Sequence, residues 1–167
     1  MKSGLTIRNA SPSELNIITD LAEKIWWPTY SDYLSEEQIS FMLTDQYAPQ
    51  ALLMEMNRGI HYSIAELHLK PVGFLAFGLQ EMDSTVCRIA KIYILPEVQG
   101  LGLGSQLINH VNAFAKEQEA CFMELNVNRN NPALSFYLKN GFSILREINI
   151  PYYHFVLNDY VMRKRVS

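Results

Sequence analysis

Leu5-Thr6-Ile7-Arg8 alternates apolar and polar positions, the period-two pattern of a strand. Ser11-Pro12-Ser13-Glu14 follows and reads as a helix start. Ser11 suits the N-cap, Pro12 the first helical position, and Glu14 completes a capping box. Leu15, Ile18, Leu21, Ala22 and Ile25 then recur at helical spacing, which predicts a helix to about Trp26 with Pro28 stopping or bending it. Ser35-Glu36-Glu37-Gln38 caps a second helix carrying Ile39, Met42 and Leu43. A third, short helix is expected from Pro49 to Asn57, ending at Arg58-Gly59.

The period then changes. Residues 60–67, 71–81 and 85–95 are rich in Ile, Val, Phe and Tyr and are punctuated at Lys70-Pro71 and Asp83-Ser84, which predicts an antiparallel meander. After a glycine-rich loop, Leu103, Leu107, Ile108, Val111, Phe114 and Ala115 define the apolar face of a strong helix. Cys121, Met123, Leu125 and Val127 alternate as a strand, Asn131-Pro132 opens another helix, and Gly141 closes it as a left-handed cap. Two strands, about 142–150 and 153–165, finish the chain around Pro151-Tyr152. The order predicts an α/β fold: one domain over 1–167, a mixed, mostly antiparallel sheet of six to seven strands flanked by helices, with a central strand–helix–strand crossover.

Composition narrows the function. The 167 residues are 49% hydrophobic and 19% charged, enough for a packed core and too apolar for a disordered chain. Fourteen basic against seventeen acidic residues, a net charge of −3, argue against nucleic acid as the partner. No apolar run is long enough for a bilayer, and the start Met1-Lys2-Ser3-Gly4 lacks the apolar core of a secretory signal, so a cytoplasmic protein without a membrane partner is expected. Cys87 and Cys121 read as reduced core residues, and histidines 61, 68, 110 and 154 have no metal-ligand spacing.

The informative segment runs from Lys91 to Ser105. A strand ends, Gln99-Gly100-Leu101-Gly102-Leu103-Gly104 turns, and a long helix begins. Glycines there let backbone N–H groups approach an anion, and the positive helix end favours a phosphate. A nucleotide P-loop would need Gly-Lys-Ser/Thr, which is absent. A dinucleotide loop is closer, with Glu124 about twenty residues on, but the third glycine spacing is off and no second βαβ unit follows. A helix entry that binds nothing is the plain alternative.

The third anion is the pyrophosphate of coenzyme A. Gln99, Gly102 and Gly104 match the Q/R-x-x-G-x-G/A motif of the GCN5-related N-acetyltransferases, and Asn130-Asn131-Pro132-Ala133 through Tyr137 to Gly141-Phe142 matches their N-x-x-A-x-x-x-Y-x-x-x-G-F motif. The chain resembles this family over nearly its whole length. The resemblance implies acetyl transfer from acetyl-CoA to an amine by direct attack, with no covalent acyl-enzyme. It implies a splayed gap beside the strand 85–95, with main-chain groups of Ile92, Tyr93 and Ile94 pairing to the pantetheine. The Ile94 N–H would polarise the thioester carbonyl. Gln99, Gly100, Leu101, Gly102, Leu103, Gly104 and Ser105 would hold the pyrophosphate. Asn126, Asn130, Ala133, Tyr137 and Lys139 would complete the cofactor contacts, with Tyr137 protonating the leaving thiolate. A helix-face tyrosine packed in the core is its plain alternative.

Many members carry a glutamate on the strand before the glycine loop as base. Here Val86 to Leu95 has no carboxylate, so Glu81 or Asp83 through water, or Tyr93, are the remaining candidates. The stretch Trp26-Trp27-Pro28-Thr29-Tyr30-Ser31-Asp32-Tyr33 is rich in aromatics. Trp26, Trp27, Tyr30, Tyr33 and Glu81 are expected around a cationic acceptor, with one tryptophan packed inside and the other covering the helix junction as the plain alternative for this stretch. It is similar to the PaiA-type polyamine acetyltransferase branch, which implies a small-molecule amine substrate. Alternatives are a protein or peptide acceptor and a non-catalytic acyl-CoA sensor. Members are often dimers, so a homodimer is expected as well.

Overall fold

The computed structural model describes residues 4–167; Met1, Lys2 and Ser3, on which part of the expectation of no secretory signal falls, lie outside them. The elements are β1 (Leu5–Asn9), α1 (Leu15–Tyr30), α2 (Glu36–Tyr47), α3 (Pro49–Asn57), β2 (His61–Leu67), β3 (Lys70–Gln80), β4 (Asp83–Ile94), α4 (Leu103–Glu117), β5 (Phe122–Asn128), α5 (Leu134–Lys139), β6 (Ser143–Tyr152) and β7 (Phe155–Arg165). The strands follow the hydrogen-bonded order β1-β2-β3-β4-β5-β7-β6. The β1–β2, β2–β3, β5–β7 and β6–β7 pairs are antiparallel, and β4–β5 is parallel. The α/β fold with a seven-stranded, mostly antiparallel sheet and one crossover through α4 is the one expected.

The chain packs as two compact units. The first holds residues up to Gly78 with Lys91–His110, and the second holds Leu79–Ala90 with Val111–Ser167. Strand β4 and helix α4 each pass from one unit to the other.

Local chemistry explains most boundaries. The Ser11 N–H donates to the Glu14 carboxylate at 2.9 Å, closing the predicted capping box, and that bond lowers the Glu14 pKa. The Ser35 hydroxyl accepts from the Gln38 N–H at 3.1 Å and starts α2. The α1 face Leu15, Ile18, Leu21, Ala22 and Ile25 is buried, as is Leu103, Leu107, Ile108, Val111 and Ala115 of α4. Phe114 is only half-buried.

Three boundaries differ from expectation. Helix α1 continues through Pro28 to Tyr30. Pro28 forfeits one N–H, yet the rings of Trp26 and Tyr30 stack 4.6 Å apart in the core, and the Ser31 N–H donates to the Trp27 carbonyl at 3.1 Å. The β2–β3 turn is His68-Leu69, both at positive φ (51° and 66°), rather than Lys70-Pro71. That is the geometry of a two-residue hairpin loop, built here without glycine. Pro71 instead sits in β3 beside a register shift, where a missing donor is tolerated. The last hairpin likewise turns at Tyr153-His154, with Tyr153 at φ 54°, two residues beyond the expected position. Cys87 is buried in β4, but Cys121 is exposed just before β5, so only one cysteine belongs to the core.

Candidate active site

In the first unit, the end of β4 carries the chemistry. Strand alternation puts Lys91 and Tyr93 on one face and Ile92 and Ile94 on the other. Gly73 of β3 lets the strands approach here: a Cβ at that position would lie 2.5 Å from the Tyr93 carbonyl oxygen. The Leu95 N–H donates to the Val72 carbonyl at 2.8 Å, anchoring the strand end. The Gln99 Nε2 donates to the Ile94 carbonyl at 3.2 Å, folding the glycine loop back on the strand.

Gly100 and Gly102 adopt φ of +82° and +78°, and a Cβ added at either would meet nothing within 4 Å. Their conformation demands glycine, and their surroundings are open. Helix α4 starts at Leu103, and the Gln106 N–H donates to the Gly102 carbonyl at 3.4 Å. The N–H groups of Leu103, Gly104 and Ser105 come before that first bond and point out of the helix end. Exposed glycines, outward N–H groups and a helix dipole form a cradle suited to a diphosphate. The chain therefore fits the pyrophosphate of coenzyme A.

The same unit holds the aromatic stretch. Trp26 is only 3% exposed, with Tyr30, Tyr47 and Tyr93 around its ring. Helical geometry turns the next residue, Trp27, about 100° away; it is half-buried, and its Nε1 donates to the Glu23 carboxylate at 2.9 Å. The expectation that Trp26 itself contacts an acceptor is corrected: its indole is core. Tyr30 and Tyr93 join hydroxyls at 2.8 Å, and Tyr33 packs edge-on against Tyr30.

Sequence reasoning missed the cluster beneath them. Lys91 is 7% exposed, and its Nζ donates to the Tyr62 hydroxyl at 2.7 Å and to Glu55 at 3.0 and 3.2 Å. The Tyr62 hydroxyl also donates to Glu55. The ammonium lies 4.9 Å from the Tyr47 ring centroid. Burial pushes the Lys91 pKa down, against the pull of Glu55. A lysine inside an apolar strand was a legible oddity, but its partner lies 36 positions earlier.

In the second unit, Asn126 of β5 has its amide oxygen buried with no hydrogen-bond partner, one of three such atoms among the described residues. An orphaned acceptor of this kind suits a ligand that brings an N–H donor. The parallel register of β5 with β4 spans Phe122–Glu124 and Val86–Arg88, short of Asn126. Asn128 accepts from the Asn130 N–H, and Asn131 from the Ala133 N–H, both at 2.9 Å, which shapes the entry to α5. Tyr137 is buried against Phe136 and Phe142, and burial alone raises its pKa well above the usual phenol value. Lys139 and Asn130 are exposed, and Gly141 takes the predicted left-handed cap at φ +88°.

Glu81 does not fit the expected site. It is exposed in the turn that opens β4, whereas Ile92 to Ile94 close that twelve-residue strand. Asp83, beside it, is occupied in a turn, accepting from the Thr85 N–H and hydroxyl. Glu124, weighed above as a ribose-binding acid, is buried mid-strand against Arg163. Among the described residues no cluster of His, Cys, Asp and Glu could hold a metal, and no helix is long and apolar enough to cross a membrane.

The family model described as acetyltransferase (GNAT) domain matches residues 58–144, just over half the chain. The protein belongs to that family, an N-acetyltransferase family that works with acetyl-CoA. Its relatives include spermidine N(1)-acetyltransferase of Thermoplasma acidophilum, 27% identical over 84% of this chain and 89% of that one. A peptidyl-lysine N-acetyltransferase of Escherichia coli is 36% identical over 45% of this chain and 44% of its own length. Among solved structures, PaiA N-acetyltransferase from Thermoplasma acidophilum in complex with coenzyme A shares the fold with a TM-score of 0.82. That match has 24% identity and covers 96% of this chain and 98% of that one.

Proposed function

We propose that this chain transfers acetyl from acetyl-CoA to the primary amine of a small polyamine-like molecule. The observation that carries the reading is the pair of open, positive-φ glycines, Gly100 and Gly102, at the start of α4. The spermidine acetyltransferase relative, matched along most of both chains, supports the amine class.

Acetyl-CoA, when bound, supplies the acyl group as an activated thioester. The chain binds and orients. N–H groups from Gly100 to Ser105 hold the diphosphate, with Gln99 keeping the loop in register. Main-chain groups of Ile92, Tyr93 and Ile94 bind the pantetheine, and the Ile94 N–H points at the carbonyl oxygen as charge develops there. Asn126, Asn130, Ala133 and Lys139 add contacts from the second motif. Tyr137 holds a proton at its hydroxyl for the departing thiolate. Its raised pKa keeps that proton in place throughout the physiological range, so Tyr137 serves as donor and not as base. Trp27, Tyr30 and Tyr33 face the cationic acceptor.

A thiol-release assay over polyamines, amino acids and lysine peptides tests the reading. Turnover is expected with spermidine-like amines. Turnover with peptides alone would favour the second reading, which the peptidyl-lysine relative supports. Cofactor binding with no turnover would make the chain a sensor.

A further inference from the structure

We propose that Tyr93 takes the proton from the attacking amine and hands it through Tyr30 to water, filling the role for which β4 has no carboxylate beyond Asp83 at its start. The inference rests on the acetyl-transfer reading above.

The need is set by acid–base chemistry. An alkylamine with a pKa near 10 is free in roughly one molecule in a thousand at neutral pH. Something must receive its proton. Ser84 to Leu95 contains neither Asp nor Glu. Glu55 of α3 is held by the Lys91 ammonium and by Tyr62. Asp83 and Glu81 stand at the far end of the strand.

The geometry supplies a chain of hydroxyls instead. Trp26 Nε1 donates to the Tyr47 hydroxyl at 3.2 Å. The Tyr93 hydroxyl lies 2.8 Å from that of Tyr30. An indole N–H can only donate, so the Tyr47 oxygen accepts from Trp26. When Tyr93 donates to Tyr30, its oxygen keeps a lone pair for the amine's proton, the polarity a relay requires. Tyr33, edge-on to Tyr30, and Tyr62, beside Lys91, complete the groups that face the chain.

Tyr93 sits between Ile92 and Ile94, at the strand end where the acyl group is proposed to lie. One proton arrives at Tyr93 Oη as the Tyr93 proton passes to Tyr30 Oη and the Tyr30 proton passes to water. Each hydroxyl ends as it began, and no phenolate persists.

The test compares acceptor amines of graded basicity at neutral pH, with the full chain and saturating acetyl-CoA. For a primary amine of pKa about 10, Tyr93→Phe is expected to lower kcat/KM about 100-fold and Tyr30→Phe about tenfold. For trifluoroethylamine, already unprotonated at that pH, both losses are expected to shrink to within about threefold, because no proton needs removal before attack. Equal losses with both amines would mean that the hydroxyls only shape the site and would overturn the relay, as would a Tyr93→Phe enzyme matching wild type. Wild-type turnover of no amine at all would instead defeat acetyl transfer itself, and the relay with it.

Discussion

Tyr137 and Tyr93 carry opposite duties, and their surroundings differ accordingly. Tyr137, in the second unit, has Phe136 and Phe142 as ring neighbours, and burial alone raises its pKa. Tyr93, in the first, shares a hydroxyl–hydroxyl hydrogen bond of 2.8 Å with Tyr30. An isolated phenol keeps its proton until a strong base appears beside it. A phenol in a polarised chain can take one proton while giving another. The same residue type becomes a store in one place and a conduit in the other, and the neighbours decide which.

Breaking the store should have the largest effect. Tyr137→Phe is expected to lower kcat by roughly 10² to 10³-fold with cofactor affinity nearly unchanged, measured by steady-state kinetics and calorimetry. The Tyr93→Phe loss should be smaller and should depend on amine basicity, whereas the Tyr137→Phe loss should persist with weakly basic amines. Identical profiles for the two variants would erase the distinction drawn between them.

The next test concerns the floor of the conduit. Lys91→Met leaves Glu55 and Tyr62 without their cation. Since Glu55 keeps about a third of its side chain in water, roughly 2 kcal/mol of stability should be lost in urea unfolding. An unchanged urea midpoint would mean that the cluster contributes nothing net. The smallest effect is at the strand's other end. Hydrogen bonds from Thr85 hold the Asp83 pKa below its ordinary 3.8. A carboxyl lowered on folding stabilises the native state above its unfolded pKa, and that contribution is lost as pH falls through the folded value. Asp83→Asn should therefore lower stability slightly at neutral pH and flatten the acid limb below about pH 4, the two proteins converging in acid; an unaltered acid limb would show that the turn bonds do not matter.

What could be read from the chain beforehand follows the same divide between local and distant causes. The Ser11–Glu14 box, the Ser35 cap, the left-handed Gly141 and the glycine loop are written within a few residues, and each stands where the pattern put it. Passage of α1 through Pro28 depends on Trp26 and Tyr30 stacking into the core. The hairpin at His68-Leu69 depends on strand register and not on a turn residue. Both were invisible locally. In the site, the motif residues were legible and the Lys91–Glu55–Tyr62 cluster was not. A buried lysine announces a partner, but only folding shows which acid answers it. Trp26 was placed in the acceptor wall because its neighbours are aromatic, yet its own face of the helix sends it inward.

The central claim is that main-chain amides at the start of α4, exposed by Gly100 and Gly102, grip the diphosphate of coenzyme A. Calorimetric titration of coenzyme A into wild type and Gly102→Asp tests it most directly. One saturable site is expected in wild type. In the variant, affinity should fall about 100-fold, from left-handed strain at φ +78° together with a carboxylate placed against the diphosphate. Equal affinity in the two proteins, or no heat with either, would contradict it.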